Sequence, residues 1–286
     1  MDGSQIVRMI LDFITTSPAN TLKMKTKEPA WEEALVGFAS GADSVFESFK
    51  EHVGSFHFTP AEIFNLTFPA RPARPEDLTV ISWVLPQREA TKADNRAQDF
   101  YPSERWVMAR FPGDDFNMLL RRHVVDELGQ AGVPAVAPHL SPEWRREDSP
   151  TYGFASRWSE RHTAYAAGLG TFGLCDGLIT PQGKAHRLGS VVARVVIAPT
   201  PRPYRDHRAY CLFFANGKCM ACAKRCPVGA ISATGHDKKK CWDHAGGTCG
   251  AFVKERFGFD GYGCGLCQTG VPCESGIPSA IRRQNQ

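Results

Sequence analysis

Cys219-Met220-Ala221-Cys222-Ala223-Lys224-Arg225-Cys226-Pro227 is the stretch on which the reading of this chain turns. Its spacing, C-x2-C-x3-C followed by proline, lets neighbouring thiolates of one tight loop converge on a shared centre while the last cysteine reaches a second one. Downstream, Cys241, Cys264, Cys267 and Cys273 supply another group. This is the ligand arrangement of two 4Fe-4S clusters. A complete run has one more cysteine at the position of Asn216, so the missing thiolate comes from elsewhere, most simply Cys211. Crosswise pairing then gives one cluster to Cys211, Cys219, Cys222 and Cys273, and the other to Cys226, Cys241, Cys264 and Cys267. A zinc site of Cys219, Cys222, Cys264 and Cys267 has a suitable donor set, but it leaves Cys226-Pro227 unexplained. Cys249 stays open as a replacement for Cys211 or Cys241. Cys175, remote in sequence, reads as structural or as a catalytic thiol.

Outward from this region the composition changes. Nine of the ten cysteines follow residue 210, and Pro199, Pro201 and Pro203 mark an extended stretch just before them. The expected division is therefore 1–204 and 205–286. Within 286 residues, 42% hydrophobic and 22% charged residues describe a folded chain, and a formal charge of +4 is too small for a nucleic-acid footprint. Lys238-Lys239-Lys240 reads as a solvated face, or as a dock for an acidic electron donor. The start Met1-Asp2-Gly3-Ser4 has no basic, apolar leader, and no long apolar run follows; the expectation is a cytoplasmic protein without a membrane span, whose thiols stay free for metal.

In the front part, Ile6, Val7, Met9, Ile10, Phe13 and Ile14 recur at helical spacing up to Ser17-Pro18. Thr59-Pro60-Ala61-Glu62 has the residues of a capping box, and Met118 to Leu128 predicts a helix closed by Gly129. Leu78 to Leu85 and Gly189 to Ala198 predict buried strands. Alternating strands and helices argue for a layered α/β (α+β) fold.

Further motifs carry a resemblance. Glu160-Arg161, Ala167-Gly168-Leu169-Gly170, Gly173, Leu178-Ile179-Thr180-Pro181 and Arg187-Leu188-Gly189 occur in the order of the core shared by epoxyqueuosine reductases and reductive dehalogenases, which the chain resembles over roughly residues 35 to 280. The resemblance implies a nitroreductase-like cobalamin-binding domain and a C-terminal ferredoxin-like domain with two 4Fe-4S clusters. It implies base-off cobalamin held near Gly168, Leu169, Gly170, Thr171, Gly173, Arg187 and Gly189, since glycine lets backbone approach a flat macrocycle. Arg161, His162 and His186 are the candidate catalytic groups, as proton donor or anion clamp, with Tyr152 and Tyr165 behind them. The expected activity is reduction of a small molecule, with electrons from a ferredoxin or flavodoxin-type donor. Alternatives are an electron-transfer or corrinoid-reducing partner protein, a flavin enzyme, and epoxyqueuosine reduction in tRNA. Against the last, the aspartate that epoxyqueuosine reductases carry just before Glu-Arg is matched here by Phe154, and nucleic acid is not an expected partner.

Overall fold

The computed structural model describes residues 1–284. In chain order its strands are β1 (Leu35–Ser40), β2 (Thr79–Pro86), β3 (Ala135–Val136), β4 (Arg146–Ser149), β5 (Gly153–Ser156), β6 (Thr171–Phe172), β7 (Leu178–Ile179), β8 (His186–Ala193), β9 (Ile231–Ser232) and β10 (Gly235–His236). The central sheet has the order β1-β2-β8-β3, with each neighbouring pair antiparallel. Helices cover both of its faces, which is why β2 is apolar at nearly every position rather than alternating. Ile81, Trp83 and Leu85 point into one core with Ile6, Ile10 and Ile14 of the helix Gly3–Thr16 and Phe116, Leu120 and Val124 of the helix Pro112–Gln130. Val80 and Val84 point the other way, onto Phe46, Phe49, Ile63, Phe64 and Trp158.

The mixed α/β layering agrees with the expectation. The capping box is present as read: Thr59 accepts from the Glu62 amide, and the Glu62 carboxylate accepts from the Thr59 amide, opening the helix Pro60–Thr67. Two elements differ in extent. The helix expected over 118–128 starts at Pro112, with Asp114 and Asp115 in its first turn, and passes through Gly129. It closes instead at Gly132, whose φ of +76° allows the Val133 amide to bond back to the Leu128 carbonyl. Strand β8 runs from His186 to Ala193 rather than over 189–198; beyond its end the Thr79 side chain, at the start of β2, donates to the Val195 carbonyl and accepts from the Ile197 amide.

A third core joins Leu174, Cys175, Ile179 and Tyr204 to Tyr210, Cys211, Cys222, Ile231, Val271 and Ile281. The cysteine-bearing part is also tied to the front by Arg225, which donates to the Asn95 carbonyl, and by Arg96, which pairs with Glu274. At Gly265 (φ +69°) an added Cβ would lie 1.9 Å from the Trp106 indole, so glycine permits this contact. Among the described residues, no helix is long and apolar enough to cross a membrane.

Candidate metal centres and active-site cavity

Cys211, Cys219, Cys222 and Cys273 line one small internal cavity together with Lys184, Gly173 and Leu174. Local structure explains how residues so distant in sequence meet. Cys211 stands at the N-cap of the helix Leu212–Asn216, and Cys222 lies in the short helix Ala221–Lys224 that follows the Cys219 loop. Cys273 is fixed from the front part, since its carbonyl accepts from the Lys184 amide at 3.0 Å.

The other four expected ligands are distributed more loosely. Lys238–Trp242 and Cys249–Phe257 are helical segments joined through a π-helical turn, Asp243–Thr248. Cys249 Sγ lies 3.4 Å from His244 Nε2 and is in hydrogen-bonding contact with Cys264. That contact pulls the Cys264 thiol down to about 6 and pushes Cys249 up. Cys267 touches Cys175, and Cys226 Sγ accepts from the Ala230 amide at 3.2 Å. Cys249, left open as a replacement ligand, and Cys175, read as structural or catalytic, both lie among the expected ligands. Cys175 is also in contact with Cys222, and its Sγ accepts from Lys184 Nζ at 3.3 Å. No three His, Cys, Asp or Glu side chains among the described residues converge as ligands of a single ion.

A cavity of about 790 Å³ adjoins the smaller one, and Gly173 and Leu174 line both. Its walls carry Phe49, Trp144, Tyr152, Tyr165, Phe172 and Trp242, and its charged groups are Arg146, Arg161, Arg208 and Lys238 against Asp176 as the carboxylate among the described lining residues. Of the catalytic candidates, Arg161 and His162 face this cavity. His162 Nδ1 is 2.8 Å from Ser159 Oγ, and its ring packs edge-on to Phe49; burial holds its pKa well below the ordinary value, so it stands as a neutral imidazole. His186 is not part of the lining. Its Nε2 bonds the Leu178 carbonyl at 2.8 Å, and burial lowers its pKa to about 4. That geometry is structural.

The glycine motif divides in the same way. Gly173 reaches the cavity, whereas a Cβ at Gly168 would meet the Pro201 carbonyl at 2.7 Å, and one at Gly170 the Ile179 carbonyl at 2.4 Å. Gly189 is opposite Trp83 across the β2–β8 ladder, and the indole lies where a Cβ would be, at 2.4 Å. These three glycines admit protein rather than a ligand. Leu169 packs in the second core, and Thr171 Oγ1 accepts from the Tyr210 amide at 2.8 Å. Arg187 is half-buried, with its Nε covered and without a partner, and desolvation lowers its pKa to about 9. Phe154, on β5, lines the cavity.

Sequence reasoning missed Lys238, which leaves its exposed neighbours and turns into the cavity. Its Nζ donates to the Phe154 carbonyl at 3.2 Å and lies 4.8 Å from the Tyr152 ring centroid. It also missed Asp176, which pairs with His236 at 3.1 Å. Burial works against a charged His236, but hydrogen bonds to Asp176 and Cys241 outweigh it and raise its pKa to about 9. No sequence pattern marks either contact, because each joins residues 60 or more positions apart in the chain.

Among curated proteins, the epoxyqueuosine reductase of Bacillus anthracis is 33% identical over 124 residues, 42% of this chain and 30% of that protein. The chain's curated homologues are epoxyqueuosine reductases. That of Francisella cf. novicida (strain Fx1) is 29% identical over 133 residues, 44% of this chain and 35% of its own length. The matched part thus spans about a third of these relatives. No family model matches the chain. Similar solved structures include a selenomethionine-labelled epoxyqueuosine reductase (16% identity, 96% of this chain and 67% of that one, TM-score 0.45) and a catabolic reductive dehalogenase in complex with 3-bromo-4-hydroxybenzoic acid (15% identity, 88% and 31%, TM-score 0.46).

Proposed function

We propose that the chain is a cobalamin-dependent iron–sulfur reductase in which a nitroreductase-like part, 1–204, binds base-off cobalamin and a small-molecule substrate, and a ferredoxin-like part, 205–286, holds two 4Fe-4S clusters. The observation that carries this reading is the shared wall: a cavity lined by four thiols abuts, at Gly173 and Leu174, a cavity large enough for a ligand. The four cysteines line one common space, and an all-thiolate set of four suits an iron–sulfur cube. Cys211, Cys219, Cys222 and Cys273 would hold one cluster. Cys226, Cys241, Cys264 and Cys267 would hold the other, with Cys249 touching one member of that set.

The aromatic walls and cationic rim of the larger cavity fit a flat ligand with anionic groups, and of the expected cofactor glycines Gly173 is the one that reaches it. When bound there, cobalamin supplies a low-potential cobalt centre for the reduction. Arg161 and Lys238 then orient an anionic substrate, the aromatic walls exclude water, and neutral His162 offers a hydrogen bond rather than a charge. Electrons would come from a ferredoxin or flavodoxin-type donor in the cytoplasm.

A second reading, reduction of epoxyqueuosine in tRNA, is favoured by the names of the curated relatives; against it stands Phe154, where the resemblance leads one to expect an aspartate. Anaerobic purification with iron, sulfide and cobalt assays, then a visible spectrum after adding hydroxocobalamin and a low-potential reductant, tests the first reading. About eight irons per chain and corrinoid uptake are expected; bound zinc, or about four irons, overturns the two-cluster reading. A gel shift with tRNA at physiological salt separates the second.

A further inference from the structure

Lys184 is a lysine in an unusual place. Its side chain is buried, at 3% exposure, and among the described residues its ammonium meets no carboxylate; Glu274, the nearest candidate in sequence to Cys273, is taken by Arg96 and the Gly270 amide. It donates to Cys175 Sγ at 3.3 Å and is in hydrogen-bonding contact with the Cys273 side chain as well. Burying an ammonium costs several kcal/mol unless negative charge faces it, and hydrogen bonds from Cys222 and Cys267 hold the pKa of the Cys175 thiol it meets well below the ordinary value. The position is tightly built. Gly183, at φ +87°, presses on the Glu274 backbone, where a Cβ would come within 2.0 Å of the carbonyl oxygen, and the Lys184 amide bonds the Cys273 carbonyl. Lys184 also lines the small cavity of Cys211, Cys219, Cys222 and Cys273, whereas Cys175 does not. Cys175 instead sits between Cys222 and Cys267, which the cluster reading assigns to different centres.

Resting on that cluster reading, we infer that Lys184 is the counter-charge of the centre held by Cys211, Cys219, Cys222 and Cys273, and that Cys175 is the positioning thiol that holds its ammonium there, not an iron ligand. Negative charge of the kind a buried ammonium calls for is what four iron-bound thiolates would supply on the cavity side of Lys184. A fixed positive charge beside such a centre favours its electron-richer state and raises its midpoint potential. It also sets the potential of that centre apart from the potential of the second one.

The test uses the full chain, purified and reconstituted anaerobically with iron and sulfide, read by iron content and by redox titration of the visible spectrum. Lys184→Met is expected to keep the wild-type iron content while one midpoint moves to more negative potential and the other stays; Lys184→Arg stays near the wild type. Should Lys184→Met lose one centre's iron while Lys184→Arg keeps it, charge is again the requirement and the inference stands. Loss of that iron in both variants, or full iron with both midpoints unmoved in Lys184→Met, overturns it. Cys175→Ala is expected to retain full iron; if it loses about half, Cys175 is itself a ligand and its positioning role is wrong. Wild-type protein that takes up no iron removes the cluster reading, and this inference with it.

Discussion

Glu160 and Arg161 are adjacent in sequence and opposite in environment. Arg161 faces the large cavity, while Glu160 turns into the protein, where one oxygen accepts from Arg121 at 3.1 Å and the other from Ser190 Oγ at 2.6 Å. Ser190 in turn accepts from the Trp158 indole at 2.9 Å, and Arg121 also donates to the Leu188 carbonyl. Removing the charge of Glu160 leaves a buried guanidinium without its partner, so Glu160→Gln is expected to cost about 3–5 kcal/mol in denaturant unfolding at pH 7. Arg161→Ala, at an exposed position, is expected to change stability by no more than about 0.5 kcal/mol. A comparable loss in both variants would refute this division of roles. The motif was visible in the sequence, but its split into a structural and a cavity-facing residue was not. Helical neighbours lie about 100° apart, and which of them meets the sheet depends on β8 arriving from elsewhere in the chain.

Among the elements, those specified by neighbouring residues were the readable ones. The capping box at Thr59, the helix through Ile6, Ile10 and Ile14, and the strand from Thr79 follow from local chemistry and periodicity. The antiparallel order β1-β2-β8-β3 was not readable, because it pairs segments more than a hundred residues apart. Gly189 shows the consequence: read as space for a cofactor, it is space for Trp83. Because Trp83 is anchored by its Nε1 to Asn117 Oδ1 at 2.9 Å, it cannot swing aside cheaply. Gly189→Ala is therefore expected to destabilise by about 1–3 kcal/mol, the usual range for overpacking. Trp83→Ala will cost about 3–5 kcal/mol on its own. In the double variant the clash is gone, so its total should fall below the sum of the singles; simple additivity in thermal unfolding would show that the indole is not what Gly189 accommodates.

For the whole molecule, the cysteine spacing was legible and the choice among ten thiols was not, since Cys175 and Cys249 reach the group only through the packing of Leu174 and the turn after His244. Packing elsewhere in the front part buries histidines, and these give the fold a pH dependence. His57 and His186 are held neutral: His57 bonds the Phe58 carbonyl through Nδ1 and accepts from the Ser159 amide through Nε2, and His186 bonds the Leu178 carbonyl. Burial lowers both pKa values to about 4, against 6.5 for the free side chain. Between pH 6.5 and pH 4 the unfolded chain therefore binds protons that the folded one refuses, and stability rises with pH across that window and is lost as pH falls through it. Each residue contributes about 2 kcal/mol of loss on going from pH 7 to pH 5, because about 1.5 units of the gap, from 6.5 down to 5, are crossed at 1.36 kcal/mol per unit. Replacing His57 by Gln removes one titrating group, so the fall in unfolding free energy between pH 7 and pH 5 should shrink by about 2 kcal/mol relative to the parent chain, whatever the substitution costs at pH 7. An unchanged slope in the variant would mean that the His57 ring takes up its proton as readily in the folded chain as in the unfolded one, and that the cage of Phe49, Trp158 and Ser159 around it does not exclude charge.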